Sequence, residues 1–254
     1  MRILRNREGV RALLLCVAAM LGTPTRANTE PPPPGPEQKS LWQYAVEWRL
    51  IRAGTATMNW SSSPGSYSGD LNIQSAGIVN KLYRVNDSYS VQASEALCAT
   101  AVTIHAEEGK RRRDTTIAFA NGKANYTEKD LVKNTVVLTK ETAVPACVHD
   151  YITGLQRLRT LRIDLGQSAQ VPLSDGKKSA SVRVEAQERE QVSTPLGKFQ
   201  AIRYEVHMFN DVLVSKKARL YVWLTEDERR IPVQIRVRMQ FLIGTIELKL
   251  EKQE

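Results

Sequence analysis

Through most of this chain apolar and polar residues alternate with a period of two. From Leu41, the residues Tyr44, Val46, Trp48 and Leu50 alternate with Ala45, Glu47 and Arg49, the spacing of a strand with one buried face. After Arg52-Ala53-Gly54 the pattern resumes over residues 55–60, giving two strands or one bent strand with Gly54 at the bend or bulge. SSSPGS, residues 61–66, reads as a turn, Leu71 and Ile73 carry a further strand, and residues 77–84 are ambiguous with a short helical turn. Strands are predicted at 102–106 and 115–119, joined across 107–113, and Asn121-Gly122 supplies a hairpin turn because both residues tolerate positive φ. Further strands centre on 136–138, 182–184, 201–208, 220–224, 233–237 and 246–250, with another turn at Asp175-Gly176.

One segment departs from this period. Tyr151, Leu155 and Leu158 fall at i, i+4 and i+7, with Ile152 beside them. Asp150 is placed to cap the first turn, and Arg157, Arg159 and Arg162 lie toward the carboxyl end, where the helix dipole favours cations. A helix is therefore expected over about 150–162, with Gly166 as its stop. The fold class is mainly β: a curled antiparallel sheet forming a barrel or half-barrel, since ten or so strands exceed what a flat sheet holds. The helix would plug or cover its concave side.

The amino terminus changes the picture of compartment. Arg2, Arg5, Arg7 and Arg11 precede the apolar run ALLLCVAAMLG, and Thr25-Arg26-Ala27 follows. The run is shorter than the roughly 20 residues a bilayer span needs, so residues 1–27 read as a secretory signal peptide. The alternatives are an uncleaved anchor or, through Cys16, a lipoprotein, although Leu15 is bulky where a lipobox wants a small residue. Residues 28–40, NTEPPPPGPEQKS, read as a Pro-rich disordered linker, and 41–252 as a single β-rich domain.

The leader carries five arginines and one glutamate of a chain with net charge +9, and without it 31 basic face 26 acidic residues. A nucleic-acid partner suggested by the basic composition therefore loses its basis. Cys98 and Cys147 survive processing, and an even count in an oxidising compartment predicts one disulfide, with two separate buried thiols as the alternative. No later stretch is apolar enough to span a membrane, so the processed chain is not expected to be an integral membrane protein.

Candidate chemistry is sparse. His105, His149 and His207 stand far apart, and neither paired metal ligands nor CxxC occurs, so neither a metal nor a cofactor is expected. Ser66-Tyr67-Ser68 within Gly65–Gly69 lacks a serine at the middle of a nucleophile elbow, and Ser174-Asp175-Gly176-Lys177 places S-x-x-K on a turn, not a helix. Lys110, Arg111, Arg112 and Arg113 form the densest basic run, either a solvated hairpin end or a contact for an anionic headgroup, glycan or partner. TEDERR, residues 225–230, sits between two strands and reads as a solvated hairpin in which Asp227 pairs with Arg229 or Arg230.

Four stretches occur in order: EWRLIRAGTATM (47–58), VHDYITGLQRLRTL (148–161), STPLGKFQAIRYEV (193–206) and VWLTEDERRIPVQI (222–235). Together they resemble the bacterial family known as domain of unknown function 3108, across about residues 42–250. The resemblance implies an exported envelope protein with a β-rich fold, and it implies no reaction and no catalytic residues.

The expected function is a non-catalytic periplasmic or cell-envelope protein holding a lipid-like ligand, or a lipoprotein's acyl chain, in the concave face. Trp48, Met58, Trp60, Trp223 and Phe241 are the candidate lining. The rivals are an envelope assembly protein, binding through a sheet edge or the basic run, and a glycan-active enzyme.

Overall fold

The computed structural model describes residues 39–239 and 244–254. The leader 1–27, linker residues 28–38 and Phe241 lie outside them. Fourteen strands form one antiparallel sheet with the order β8-β7-β6-β5-β4-β3-β2-β1-β14-β13-β12-β11-β10-β9. They are β1 (Lys39–Trp48), β2 (Ile51–Ser63), β3 (Ser66–Ser75), β4 (Val85–Ser94), β5 (Ala99–Glu108), β6 (Arg111–Ala120) and β7 (Lys123–Asp130), followed by β8 (Thr135–Ala143), β9 (Ser168–Ser174), β10 (Ser179–Thr194), β11 (Gly197–Val206), β12 (Ala218–Thr225), β13 (Pro232–Met239) and β14 (Thr245–Gln253). Two helices interrupt them, α1 (Gly77–Leu82) and α2 (Tyr151–Thr160). The expected curled antiparallel sheet with one main helix is the architecture found.

The first and last strands meet at the middle of the order, where β1 pairs β14 from Trp42↔Gln253 to Trp48↔Ile246. The sheet does not close, because β8 and β9, the two ends of the order, do not pair with each other. Instead a short strip fastens the curl. Val148 O accepts from Ala99 N at 2.8 Å, while His149 N donates to Pro172 O and His149 O accepts from Ser174 N, both at 2.9 Å. The strip thus touches the start of β5 on one side and the edge of β9 on the other. The Cys98–Cys147 disulfide, with a sequence separation of 49, crosses the same place, and His149 Nδ1 lies 2.9 Å from Leu97 O. Burial draws the His149 imidazole below its ordinary pKa, and the Arg157 charge adds to the effect.

The bend after β1 is not at Gly54. Arg49 and Leu50 make the turn, with φ of 49° and 69°, although neither residue is a favoured left-handed type. Gly54 serves the bulge beside it. A Cβ there would stand 2.1 Å from Gln74 O on β3, so the position accepts hydrogen alone. Asn121-Gly122 forms the expected hairpin with both φ positive.

Helix α2 begins as its sequence dictates. Asp150 accepts from Ile152 N and Thr153 N, and its own N–H donates to Thr153 Oγ1, a reciprocal cap contributing about 1 kcal/mol. The helix ends at Thr160, well before Gly166. Ile152 packs into a cluster with Trp60, Val91 and Val102, and Leu158 into one with Val184, Val206 and Val222. Leu155 reaches both the latter and a third cluster around Trp42 and Tyr44. A helix buried on several sides in this way is a plug and not a surface element.

Candidate ligand-binding site

The concave face holds an apolar cavity of about 470 Å³ beneath α2. Each strand contributes the residues of one parity. Leu220 and Val222 of β12, Ile235 and Val237 of β13 and Leu248 of β14 point inward, while Tyr221 and Trp223 point to the other face. Leu155 and Leu158 of α2 form the roof, and Val171 and Leu173 of β9 a wall beside the fastening strip. Gly154 lets the roof come close, since a Cβ there would lie 2.6 Å from Leu173 Cδ2. The Tyr44 hydroxyl donates to Pro232 O at 2.9 Å, and burial raises its pKa, with Arg159 acting against the shift. It stays a neutral donor whose hydrogen bond is met by the protein.

Lys216 is the single charged side chain among the described lining residues, which include no serine, threonine, cysteine, histidine or carboxylate. Such a surface can hold hydrocarbon. Among the described residues no group of three or more histidine, cysteine, aspartate or glutamate side chains could hold a metal ion.

The roof is anchored by two arginines from separate parts of the chain. The Arg159 Nε donates to Arg230 O at 3.1 Å, and one of its terminal nitrogens donates to Arg229 O at 2.6 Å. In return the Arg230 Nε donates to Arg159 O at 2.7 Å, and a terminal nitrogen reaches the Tyr204 hydroxyl at 2.9 Å. Leu158 O accepts a longer bond at 3.4 Å. Each guanidinium thus caps the backbone of the other's segment, and Arg159 also lies over the Trp42 ring at 4.6 Å. The helix end would otherwise present unpaired carbonyls to the interior.

This settles the TEDERR turn. Asp227 organises it, accepting from the Thr225 hydroxyl and from Arg230 N, and it pairs with exposed Arg229 at 3.3 Å. Arg230, with φ of 45°, turns inward and is 3% exposed. The hairpin is as expected, but its last arginine belongs to the interior.

The sequence-predicted lining residues separate. Met58 lines the cavity. Trp60 lies in a neighbouring cluster, stacked on Tyr67 at 5.6 Å. Trp223 donates its Nε1 to Glu190 at 2.5 Å, under the Arg236 guanidinium at 4.8 Å. Trp48 is half-buried at the end of β1, with Arg49 above its ring at 5.5 Å. The basic run is divided by strand alternation. Arg111 and Arg113 meet Glu128, Arg113 also meets Asp130, and Arg112 meets Glu107 on the opposite side. Lys110 stands in the turn before β6. Leu155, Leu158, Val171 and Leu173 were not singled out as lining, although the helical spacing of the first two is visible in the sequence.

Among the described residues no helix is long and apolar enough to cross a membrane. No curated protein matches the chain. Its fold is similar to that of the β-barrel-like protein of domain of unknown function DUF1849 from Brucella abortus, with a TM-score of 0.57 at 10% identity, covering 86% of this chain and 98% of that one. A much looser likeness, with a TM-score of 0.31 at 11% identity over 70% of this chain and 87% of the other, is to a DUF1089 family protein from Pseudomonas aeruginosa. The model of the family described as "Protein of unknown function (DUF3108)" matches residues 43–251, and the chain belongs to that family.

Proposed function

We propose that this protein is a non-catalytic carrier of an apolar or amphiphilic, lipid-like ligand, working outside the cytoplasm in the periplasm or cell envelope of a bacterium. The observation that carries the reading is the apolar cavity under α2. Its volume of about 470 Å³ falls in the range of small-molecule sites, roughly 300–1,000 Å³, far above the space of one water. Filling it with hydrocarbon removes apolar surface from water at about 25 cal/mol per Å². The Cys98–Cys147 disulfide supports the compartment, because such bonds persist in oxidising surroundings.

Native mass spectrometry of the purified protein, paired with organic extraction, tests the carrier role. A co-purifying lipid, or uptake of an added single-chain amphiphile with a raised melting temperature, is expected. A protein that carries no lipid and takes up none has no such role.

A second reading, an envelope interaction protein, is favoured by β8. That strand ends the sheet and is exposed at all but one of its nine residues, with Val136 58% and Val137 45% exposed. Open edges of this kind pair with other strands. Photocrosslinking from Val136 in cells should give one discrete adduct, lost on Thr139→Pro and missing from a label at Lys198. No discrete adduct would remove this reading.

A further inference from the structure

We infer that one rim of the sheet, formed by the β1–β2 turn, α1 and the β5–β6 turn, docks on the surface of an anionic lipid bilayer, with Leu50, Ile78 and Leu82 dipping into it. This docking does not depend on what the cavity holds.

In an antiparallel meander alternate connections lie on the same rim. From β1 to β8 those on one rim are residues 49–50, 76–84, 109–110 and 131–134, and those on the other are 64–65, 95–98 and 121–122. The first set is joined along its length. Ala76 N donates to Ala53 O at 2.7 Å, so α1 adjoins the start of β2, and Gly109 N donates to Arg84 O at 2.7 Å. The Tyr83 ring lies against that glycine, where a Cβ would meet it at 2.9 Å.

The two rims show different surfaces to solvent. On the first, Leu50 is 87% exposed, Leu82 76% and Ile78 61%, and Ile51, Tyr83 and Val132 are exposed too. The second exposes no large apolar side chain, and its Leu97 is buried. Ile78 and Leu82 stand one helical turn apart on the same side of α1, yet none of the helix's residues is buried. Single exposed apolar residues are ordinary, but a contiguous set marks a binding surface.

The β1–β2 turn is an independent observation. It has the two-residue, doubly left-handed form of Asn121-Gly122 on the other rim, a form that suits asparagine and glycine. Arg49-Leu50 occupies it instead, and a Cβ makes the left-handed conformation costly. Burial does not offset that cost for Leu50, which projects into solvent.

Charge names the occupant. Connections on the first rim hold Arg49, Lys81, Arg84, Lys110 and Lys133 and no acid, whereas those on the second hold Glu95 and no base. The carboxylates at the ends of β1, β5 and β7 are already matched. Glu47 faces Lys249 at 2.7 Å, Glu107 faces Arg112 at 3.2 Å, Glu108 faces Arg111 at 3.7 Å and Asp130 faces Arg113 at 3.0 Å. Lys81, Lys110 and Lys133 are exposed and form no ion pair among the described residues. Cations and apolar tips also interleave along the chain, as RLIR at 49–52 and KLYR at 81–84. The core of a protein–protein interface is depleted of charge. A bilayer surface accepts the mixture, since the stems of lysine and arginine lie beside the apolar tips while their heads stay at the phosphates.

Flotation of the purified protein with vesicles of equimolar phosphatidylglycerol and phosphatidylcholine, or of phosphatidylcholine alone, tests the docking. Each lysine close to an anionic surface strengthens binding about fivefold. Lys81→Gln/Lys110→Gln should therefore bind the anionic vesicles on the order of twentyfold more weakly and the neutral ones as the wild type does. Leu50→Asn suits the turn and should melt no lower than the wild type, yet bind the anionic vesicles on the order of tenfold more weakly. Depth is read with brominated acyl chains. Leu82→Trp should be quenched beyond the wild-type level, and Leu196→Trp, in the β10–β11 turn on the opposite rim, should not. Absence of anionic-vesicle binding, or wild-type binding by the lysine and Leu50 variants, would overturn the docking. So would quenching of Leu196→Trp in place of Leu82→Trp. If Leu50→Asn floats as the wild type does but abolishes a photocrosslink from position 82 to a single protein in cells, the rim meets a protein and not a membrane.

Discussion

Replacing Arg230 with alanine tests whether the two-arginine clasp holds the roof of the cavity. Arg230 makes two short hydrogen bonds, to Arg159 O at 2.7 Å and the Tyr204 hydroxyl at 2.9 Å, and a longer one to Leu158 O. Hydrogen bonds involving a charged group contribute about 1.5–3 kcal/mol each, and a buried acceptor left unpaired costs about 1–3 kcal/mol. Removing the guanidinium also removes the cost of keeping its charge out of water, which offsets part of the loss. A net destabilisation of about 3 kcal/mol follows, or roughly 6–12 °C in Tm for a domain of this size. Arg230→Lys should fall between, because one ammonium cannot reproduce the fork that reaches a carbonyl and a tyrosine together. The neighbouring Arg229 provides the control. It is exposed and pairs only locally with Asp227, so Arg229→Ala should change stability by less than about 0.5 kcal/mol. Urea unfolding by tryptophan fluorescence reads all three as midpoint shifts at constant m. Equal, small effects of Arg229→Ala and Arg230→Ala would refute the clasp.

Other consequences are as direct. Changing Cys98 and Cys147 together to alanine should cost about 4 kcal/mol, the loop-closure value for this spacing, read as a lower Tm that reductant no longer alters. Gly54→Ala should cost about 3 kcal/mol or more by overpacking, since its new methyl meets backbone oxygen; a neutral result in thermal unfolding would show that β3 gives way. His149 has a depressed pKa when folded, so its stabilising contribution is full above the ordinary histidine range and lost as pH falls through it, where the unfolded chain takes up a proton first. His149→Gln should therefore flatten the loss of stability between about pH 7 and pH 5, as followed by urea midpoints. An unchanged slope in that window would assign the acid sensitivity to other groups.

Most of the architecture is legible before any coordinates. Alternation in β1, β5, β6 and β10 to β14, the Asn121-Gly122 turn and the Asp150 cap are local features, and local physics fixes them. The turn at Arg49-Leu50 is not legible, because two ordinary residues adopt left-handed conformations there and the nearby glycine attracts the assignment. The lining is harder for a different reason. In LYVWL, residues 220–224, both parities are apolar, so the pattern cannot say whether Val222 or Trp223 faces inward. Size favours the tryptophan, yet Trp223 uses its indole N–H on Glu190, which an apolar cavity wall could not supply. Arg230 escapes a sequence reading altogether. Its partners lie about 70 residues away on the helix and 26 away on β11, and in the sequence an arginine beside two glutamates and an aspartate looks solvated.

The fastening of the curl has a mechanical consequence. A ribbon with one end, β9, buckled to an inner strand, β5, opens differently from a hoop. To widen a hoop, a complete ladder has to part. Here the thirteen pairings between neighbouring strands, from β8 round to β9, can all persist while the strip at 147–149 lifts and gives up three backbone hydrogen bonds. The disulfide keeps that strip tethered to Cys98 throughout. The strip can therefore unbuckle without parting any ladder of the sheet behind it.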